Sequence, residues 1–323
     1  MKQSYFILPC IALVVSTVLY LVFINSFDNF GPHGTRFNNI LEKYNDLPAG
    51  SILFIGDSQI QEGIDCTLIE KESIETCFNF GLAGLVPMQM ALQKDLVIAT
   101  KPKFVVIGVS AAFFDESINK NEDLFLLLND HGVAADSFLQ ERLTDQEKKL
   151  LSMNYFEKAL YKRKFILPLY VGIFDSLISP SEQHPNVVTN FKNPRFFIHQ
   201  QQREELTAKL QDPAVRHIFE IEKSARRQRD AFHYFVRELK QAGIEVVVLN
   251  MPYHPLVLEQ LSPASQQAFN NYLLELSQAL NFELIDLQHQ FSAADFNDLT
   301  HLNAAGSEKL SFSFVKGDDR VIQ

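Results

Sequence analysis

The feature that most constrains the fold is a repeated alternation of short apolar runs with longer helical patterns. Five runs rich in β-branched and aromatic residues have the length of buried strands, and they occupy residues 51–55, 76–80, 104–108, 244–249 and 282–286. Helical patterns lie between them at residues 87–99, 224–242 and 263–280. Strands that alternate with helices form a parallel sheet covered on both faces. The sequence therefore predicts an α/β fold, a three-layer α/β/α sandwich around a mostly parallel five-stranded sheet.

The alternation is interrupted between about residues 115 and 223. This stretch contains helical patterns at residues 145–160 and 200–210, and it is broken by Pro168, Pro180, Pro185 and Pro194. Long connections inside a compact domain usually have a function of their own. We expect a long, largely helical insertion after the third strand, which forms a lid or a surface for a partner.

The first 27 residues have a different character from the rest of the chain. Residues 3–27 contain no charged side chain, and about 20 apolar residues match the hydrocarbon core of a bilayer. A cleaved signal peptide is the alternative, but no small-x-small cleavage site follows the apolar run. We therefore expect a membrane anchor at residues 1–27, a connecting segment at 28–50 and one domain at 51–323. The very short leading tail favours a domain outside the cytoplasm.

Charge and cysteine content exclude some classes of function. The net charge of −10 argues against a nucleic-acid partner, because contacts with phosphates require a basic surface. Cys66 and Cys77 have a spacing that permits a disulfide in an oxidising compartment, but two free thiols fit equally well. No spacing typical of metal ligands involves them, so we expect neither a metal nor a cofactor.

A serine follows directly after the first predicted strand. Gly56 allows a sharp turn there, so that Ser58 stands at the carboxyl edge of the sheet, where a helix begins. Its hydroxyl would face a cleft together with its own N–H group, as a nucleophile and half of an oxyanion hole do. Helix capping by Asp57 or Ser58 is an equally good interpretation of this stretch alone.

An acid and a histidine lie close together near the carboxyl end of the chain. Asp298 precedes His301 by three residues, just before a helical pattern that begins near residue 303. Such a turn can hold the carboxylate against one ring nitrogen and leave the other free to face a serine. Asp295, six residues before His301, is a competing acid.

Together these motifs resemble the SGNH (GDSL-type) hydrolase superfamily over residues 51 to about 315. The resemblance rests on residues 56–58, on Gly84 after the second strand and on Asp298-x-x-His301. It implies a flavodoxin-like fold, with Ser58 as nucleophile, His301 as base and Asp298, at the family spacing, as its orienter. The N–H groups of Ser58 and Gly84 would donate to the oxyanion.

Two positions depart from the usual SGNH pattern. The Gly-x-Asn block after the third strand is replaced by Gly108-Val-Ser110, so the Ser110 hydroxyl would be the third oxyanion donor. Loss of one such donor costs about 3 kcal/mol of transition-state stabilisation. Gln59 replaces the usual leucine. With this substitution, the single anchor and the ending His-Leu-Asn-x-x-Gly, the chain resembles a distant branch of the superfamily. That branch includes membrane-anchored proteins that serve D-alanylation of teichoic acids or O-acetylation of alginate.

The resemblance implies an extracytoplasmic, membrane-anchored esterase or O-acyltransferase that acts on a cell-envelope polysaccharide or related polymer. Its partners would be the membrane, a glycan or acylated polymer, and a multi-span membrane acyltransferase. The alternative is a catalytically inactive SGNH-fold protein that binds or assembles the components of such an acylation complex. The replacement of the asparagine by Ser110 and the long insertion favour this alternative.

Overall fold

The computed structural model describes residues 14–18, 31–73, 75–115, 123–158, 160–161, 191–192, 194, 201–220 and 225–314. Residues 14–18 are helical, and the remainder of the predicted anchor lies outside the described residues. Of the helices in these ranges, none combines the length and apolarity that crossing a bilayer requires.

Five strands form one sheet, and they are β1 (Ile52–Ile55), β2 (Cys77–Asn79), β3 (Phe104–Val109), β4 (Glu245–Asn250) and β5 (Glu283–Asp286). Their order in the sheet is β2-β1-β3-β4-β5, and every neighbouring pair is parallel. Each strand lies within one residue of its predicted bounds. The predicted fold class is confirmed, and the carboxyl ends of β1 to β5 meet at one edge of the sheet.

Within the described ranges, α-helices connect the strands or cover the sheet. In chain order they are α1 (Gly31–Lys43), α2 (Ser58–Gly63), α3 (Cys66–Glu72), α4 (Pro87–Leu92), α5 (Lys94–Ala99), α6 (Asp123–Asp130), α7 (Ser137–Gln140), α8 (Asp145–Ser152), α9 (Arg203–Leu210), α10 (Pro213–His217), α11 (Arg226–Gln241), α12 (Pro255–Gln260), α13 (Pro263–Leu280) and α14 (Ala304–Ser313). The helix expected at residues 87–99 is two helices, which separate at Gln93.

Alternate residues of the strands serve two cores, one on each face of the sheet. Leu53 and Ile55 of β1 pack with α1, α4, α11 and α13, whereas Ile52 and Phe54 pack with α2, α3 and α14. All four side chains are buried. Successive side chains of a strand point to opposite faces, so a strand without polar residues requires cover on both.

The two ends of the predicted insertion pack in different places. Helices α6 to α8 contribute buried apolar side chains to the larger core, among them all five residues from Leu124 to Leu128. Helices α9 and α10 instead form a third apolar cluster with α12 and Leu299, beside the carboxyl edge of the sheet. The described first part of the insertion is therefore a layer of the core, and the last part is positioned to cover the edge.

Two glycines allow close packing at the carboxyl edge of the sheet. A Cβ atom at Gly81 would lie 2.2 Å from the Gln61 nitrogen of α2, and one at Gly56 would lie 2.9 Å from the Gly108 oxygen near the end of β3. Both contacts are with backbone atoms, which cannot move aside. A side chain at Gly81 would push α2 away from the loop after β2, and one at Gly56 would push the ends of β1 and β3 apart.

Cys66 and Cys77 form a disulfide that joins the start of α3 to β2, with 5.3 Å between their Cα atoms. Both side chains are fully buried. Of the two alternatives that the sequence left open, the structure has the bonded pair.

We predict that the denatured protein exposes one thiol, that of Cys10, before reduction and three afterwards, because the chain has three cysteines. Replacing both Cys66 and Cys77 by Ser should lower the free energy of unfolding by about 3 kcal/mol, as expected for a short closed loop. Thiol counting by mass spectrometry and unfolding in denaturant measure the two effects. Three thiols labelled without reductant would contradict the bond.

Candidate active site

In the turn after β1, one residue caps the following helix and the next residue directs its hydroxyl group at a histidine. Asp57 is the N-cap of α2, since its Oδ1 accepts a hydrogen bond from the Gln59 N–H at 2.9 Å. Ser58 is the first helical residue, and its Oγ lies 2.7 Å from Nε2 of His301. Because Asp57 satisfies the helix terminus, the Ser58 hydroxyl is available to the histidine.

Asp298 and His301 form a local turn that fixes the other side of the imidazole. Nδ1 of His301 lies 2.8 Å from Oδ2 and 3.0 Å from Oδ1 of Asp298. The same carboxylate accepts the backbone N–H groups of Thr300, at 2.8 Å, and of His301, at 2.7 Å. These contacts hold the carboxylate in place, and Nε2 is directed at Ser58. The spacing predicted this turn.

The charges of the site oppose the effect of burial on His301. Burial alone lowers its pKa, but the hydrogen bond and charge of Asp298 raise it, with further contributions from Glu62 and Asp57, so the net pKa lies above the usual value. Burial works against Asp298 too, yet His301 and two backbone N–H groups hold the pKa of that carboxyl well below its usual range. Burial raises the pKa of Asp57 to about 6. The site therefore favours an imidazolium beside a carboxylate.

A cavity of about 140 Å³ opens in front of Ser58. Its walls consist of side chains and backbone from α2, from the loops after β2 and β3, from the segment after α10 and from the histidine turn, namely Asp57, Ser58, Gln59, Gly84, Ala112, Ile218, Thr300 and His301. It is the space in which a reacting group would meet the Ser58 hydroxyl.

The loop after β2 brings Gly84 to the lining of this cavity. The N–H groups of Gly81, Leu82 and Ala83 donate to Asn79 Oδ1, Gly56 O and Gln61 Oε1, at 2.9, 3.0 and 2.8 Å. Gly84 follows with φ +75, and its N–H has no partner in the described part of the chain. The same holds for the Ser58 N–H. Two residues that line the cavity therefore each have a backbone donor available for an oxyanion.

Arg36 is a residue of this region that the sequence interpretation missed. It lies on α1, within the segment expected to be a connection, and is only 2% exposed. Its Nε donates to Gly81 O and its Nη2 to Asn79 O, each at 2.8 Å. Arg36 therefore holds the start of the loop that carries Gly84. A charged residue inside the buried pattern of Phe37 and Ile40 was the available signal.

Ser110 lies behind the cavity wall. It is fully buried and is not a lining residue, whereas Ala112 is. Its side chain is close to the hydroxyl of Tyr253, whose pKa burial raises to about 12. The Tyr253 hydroxyl also accepts a long hydrogen bond, 3.5 Å, from the Ala112 N–H. The role of Ser110 as an oxyanion donor stays a prediction.

The competing acid, Asp295, does not contact His301. Its Oδ2 accepts the Ser292 N–H at 2.8 Å and lies 3.4 Å from Nζ of Lys309. The structure thus brings Asp298, and not Asp295, to the histidine. Within the described residues, no cluster of three or more His, Cys, Asp or Glu side chains is suited to a metal ion.

We predict that Ser58 reacts with an organophosphonate probe at a rate that rises with pH, with a midpoint above about 6.5, the usual pKa of histidine. The expected base is the neutral imidazole, and the neighbouring carboxylates raise the pH at which it forms. Asp57→Asn keeps a capping oxygen but removes a charge, so its midpoint should shift to lower pH. Asp295→Asn, the matched control, should not shift. A midpoint below 6.5 in the wild-type protein would contradict this electrostatic account.

One protein-family model, which brings no functional description with it, matches residues 194–317, less than half of the chain. Among curated proteins, none matches this sequence.

Two solved structures that resemble this chain are mutants of the enzyme Axe2 from Geobacillus stearothermophilus. The first is a catalytic mutant of this acetylxylan esterase, with a TM-score of 0.39 and 12% sequence identity. The match covers 84% of this chain and 94% of the esterase chain. The second is a mutant described as an acetyl-xylooligosaccharide esterase, with a TM-score of 0.39 and 11% sequence identity. That match covers 86% of this chain and 99% of the esterase chain. At this level of similarity no functional conclusion follows from the likeness.

Proposed function

We propose that this chain is a membrane-anchored, extracytoplasmic serine esterase or O-acyltransferase of the SGNH type, which acts on an acylated cell-envelope polysaccharide or related polymer. The observation that carries the proposal is the continuous hydrogen-bonded series from Ser58 Oγ through His301 to Asp298, with contacts of 2.7 and 2.8 Å. A hydroxyl, an imidazole and a carboxylate in this order are the parts of a nucleophilic triad.

Acyl transfer would proceed in two halves. Ser58 Oγ attacks the carbonyl carbon of an ester while His301 Nε2 takes its proton, and the N–H groups of Ser58 and Gly84 bind the oxyanion. When the intermediate collapses, His301 returns the proton to the departing alcohol, and an acyl group remains on Ser58. Water or a sugar hydroxyl then attacks the acyl-enzyme, and the same imidazole accepts its proton. Asp298 keeps its charge throughout and stabilises the imidazolium.

The lining of the cavity indicates where an acyl group would lie. A volume of about 140 Å³ has room for the reacting carbonyl and for a short acyl chain. The apolar side chains among its described lining are those of Ala112 and Ile218, so the acyl chain would lie against them.

Two observations support the proposed location. Residues 3–27 contain no charged side chain and are long enough to anchor the domain. The buried disulfide between Cys66 and Cys77 is typical of proteins that fold in an oxidising compartment. A membrane acyltransferase as donor partner is part of the same proposal.

The catalytic assignment predicts that Ser58, His301 and Asp298 act as a unit. Ser58→Ala should abolish phosphonate labelling and ester turnover, and His301→Ala should reduce both by at least about 10³-fold. Asp298→Asn should be comparable or milder. Labelling and kcat/KM on short-chain aryl esters are the measurements, made on variants with wild-type melting temperatures.

The matched control for Asp298→Asn is Asp295→Asn, which should retain wild-type activity because Asp295 does not touch the histidine. Polymer acylation in cells separates the two classes of function. If a folded Ser58→Ala protein still supports full acylation, the enzyme proposal fails and the assembly component takes its place.

The cavity wall predicts a change in acyl preference. Ile218→Ala should raise kcat/KM for hexanoyl relative to acetyl esters by about tenfold, because removing a branched side chain makes room for further methylene groups. Val215→Ala is the matched control, since Val215 packs on the same apolar cluster without lining the cavity. An unchanged ratio in Ile218→Ala would show that Ile218 does not contact the acyl chain.

A further inference from the structure

Gln59 is the residue beside the nucleophile that the proposed mechanism does not use. It stands where the SGNH pattern usually has leucine, and it is 4% exposed. A buried primary amide is costly unless its polar atoms are hydrogen-bonded, so its contacts indicate what it does.

The side chain of Gln59 joins three distant parts of the chain. Its Nε2 donates to Pro252 O at 3.1 Å and to Thr300 O at 3.0 Å, partners 193 and 241 residues away. Both amide hydrogens are therefore used. Pro252 belongs to the loop after β4, and Thr300 is the residue directly before His301. One amide thus links the serine turn to the histidine turn.

The histidine turn has other attachments, but they come from other elements. The His254 N–H donates to Leu299 O at 3.0 Å, and the Gln201 N–H donates to Asn297 O at 2.7 Å. Of these three attachments, the one from Gln59 comes from the helix that begins with Ser58. A bond between adjacent neighbours of the two reacting side chains controls their separation more directly than bonds from elsewhere.

We propose that Gln59 is a positioning residue that sets the distance between Ser58 Oγ and His301 Nε2. Its backbone is fixed by the Asp57 cap, and its amide holds the carbonyl next to His301. Leucine at this position could fill the volume but could not bind either carbonyl. This inference rests on the proposed function only in that Ser58 reactivity is one of its two readouts.

The first test compares two glutamines with the same hydrogen-bonding pattern. Gln59→Leu should lower the phosphonate labelling rate of Ser58 by about 10²-fold, the effect of a misplacement near 1 Å. Gln266 is the matched control, because its Nε2 also donates to two carbonyls, those of Leu258 and Leu261, at 2.8 and 3.2 Å. Gln266→Leu should lower the melting temperature but leave labelling within about twofold of wild type.

The second test uses a variant of the same shape. In Gln59→Glu, the protonated acid can donate one hydrogen bond, and the ionised acid can donate none. The labelling rate of this variant relative to wild type should therefore fall as pH rises, whereas that of Gln59→Leu should stay constant. The new charge also raises the pKa of His301, so the comparison is made at pH values where the imidazole is neutral in both proteins. A loss that persists there reports the missing hydrogen bond, whereas a purely electrostatic effect would disappear. Gln59→Glu also provides a readout if the leucine variant does not fold.

The third measurement requires no reaction. The ring ¹H–¹⁵N NMR signals of His301 report its hydrogen bonds and pKa, and they should shift in Gln59→Leu but not in Gln266→Leu. Wild-type protein that never labels would overturn the proposed function alone. Gln59→Leu protein with wild-type His301 signals, or with a wild-type labelling rate, would overturn the positioning role.

Discussion

The bond between the Asp298 carboxylate and Nδ1 of His301 is the interaction on which the site depends. Burial by itself favours a neutral imidazole, and a neutral ring without a fixed partner could turn either nitrogen towards Ser58. The carboxylate opposes both effects, because it stabilises the charged ring and fixes its orientation. It can do so because two backbone N–H groups hold it in turn. A four-residue turn therefore supplies both the charge and the direction that the serine requires.

Neutral amides hold the start and the end of α2 around that pair. Gln59 bonds the carbonyl beside the histidine, and Gln61 accepts the N–H group next to Gly84. Asn79 donates to the carbonyls of Ile60 and Ile64 and so closes the far end of the helix. Amides bind donors and acceptors without adding charge. Such a framework can be dense close to His301 without altering its protonation, which additional carboxylates or lysines would do.

The parts of this architecture that were predictable from sequence are those encoded locally. The strand bounds follow from runs of apolar residues, and the Asp298–His301 contact follows from a spacing of three. The partners of Arg36 and Gln59 were not predictable, because they lie 43 to 241 residues away and are backbone carbonyls, which carry no sequence signal. The packing of α6 to α8 into the larger core was missed for a similar reason: periodicity shows that a helix has an apolar face, but not which surface covers it.

The position of helix α1 in the chain limits how far the folded domain can lie from the proposed membrane anchor. Its side chains Phe37, Ile40 and Leu41 belong to the larger core, so the helix is a fixed part of the domain from Gly31 onwards. If residues 1–27 lie in a bilayer, as proposed, three residues separate the lipid from the folded domain, and the distance from residue 27 to Gly31 is at most roughly 14 Å even when the chain is fully extended. A domain joined to the bilayer by so short a connection would stay next to the membrane, where donors and acceptors at the membrane surface are within its reach.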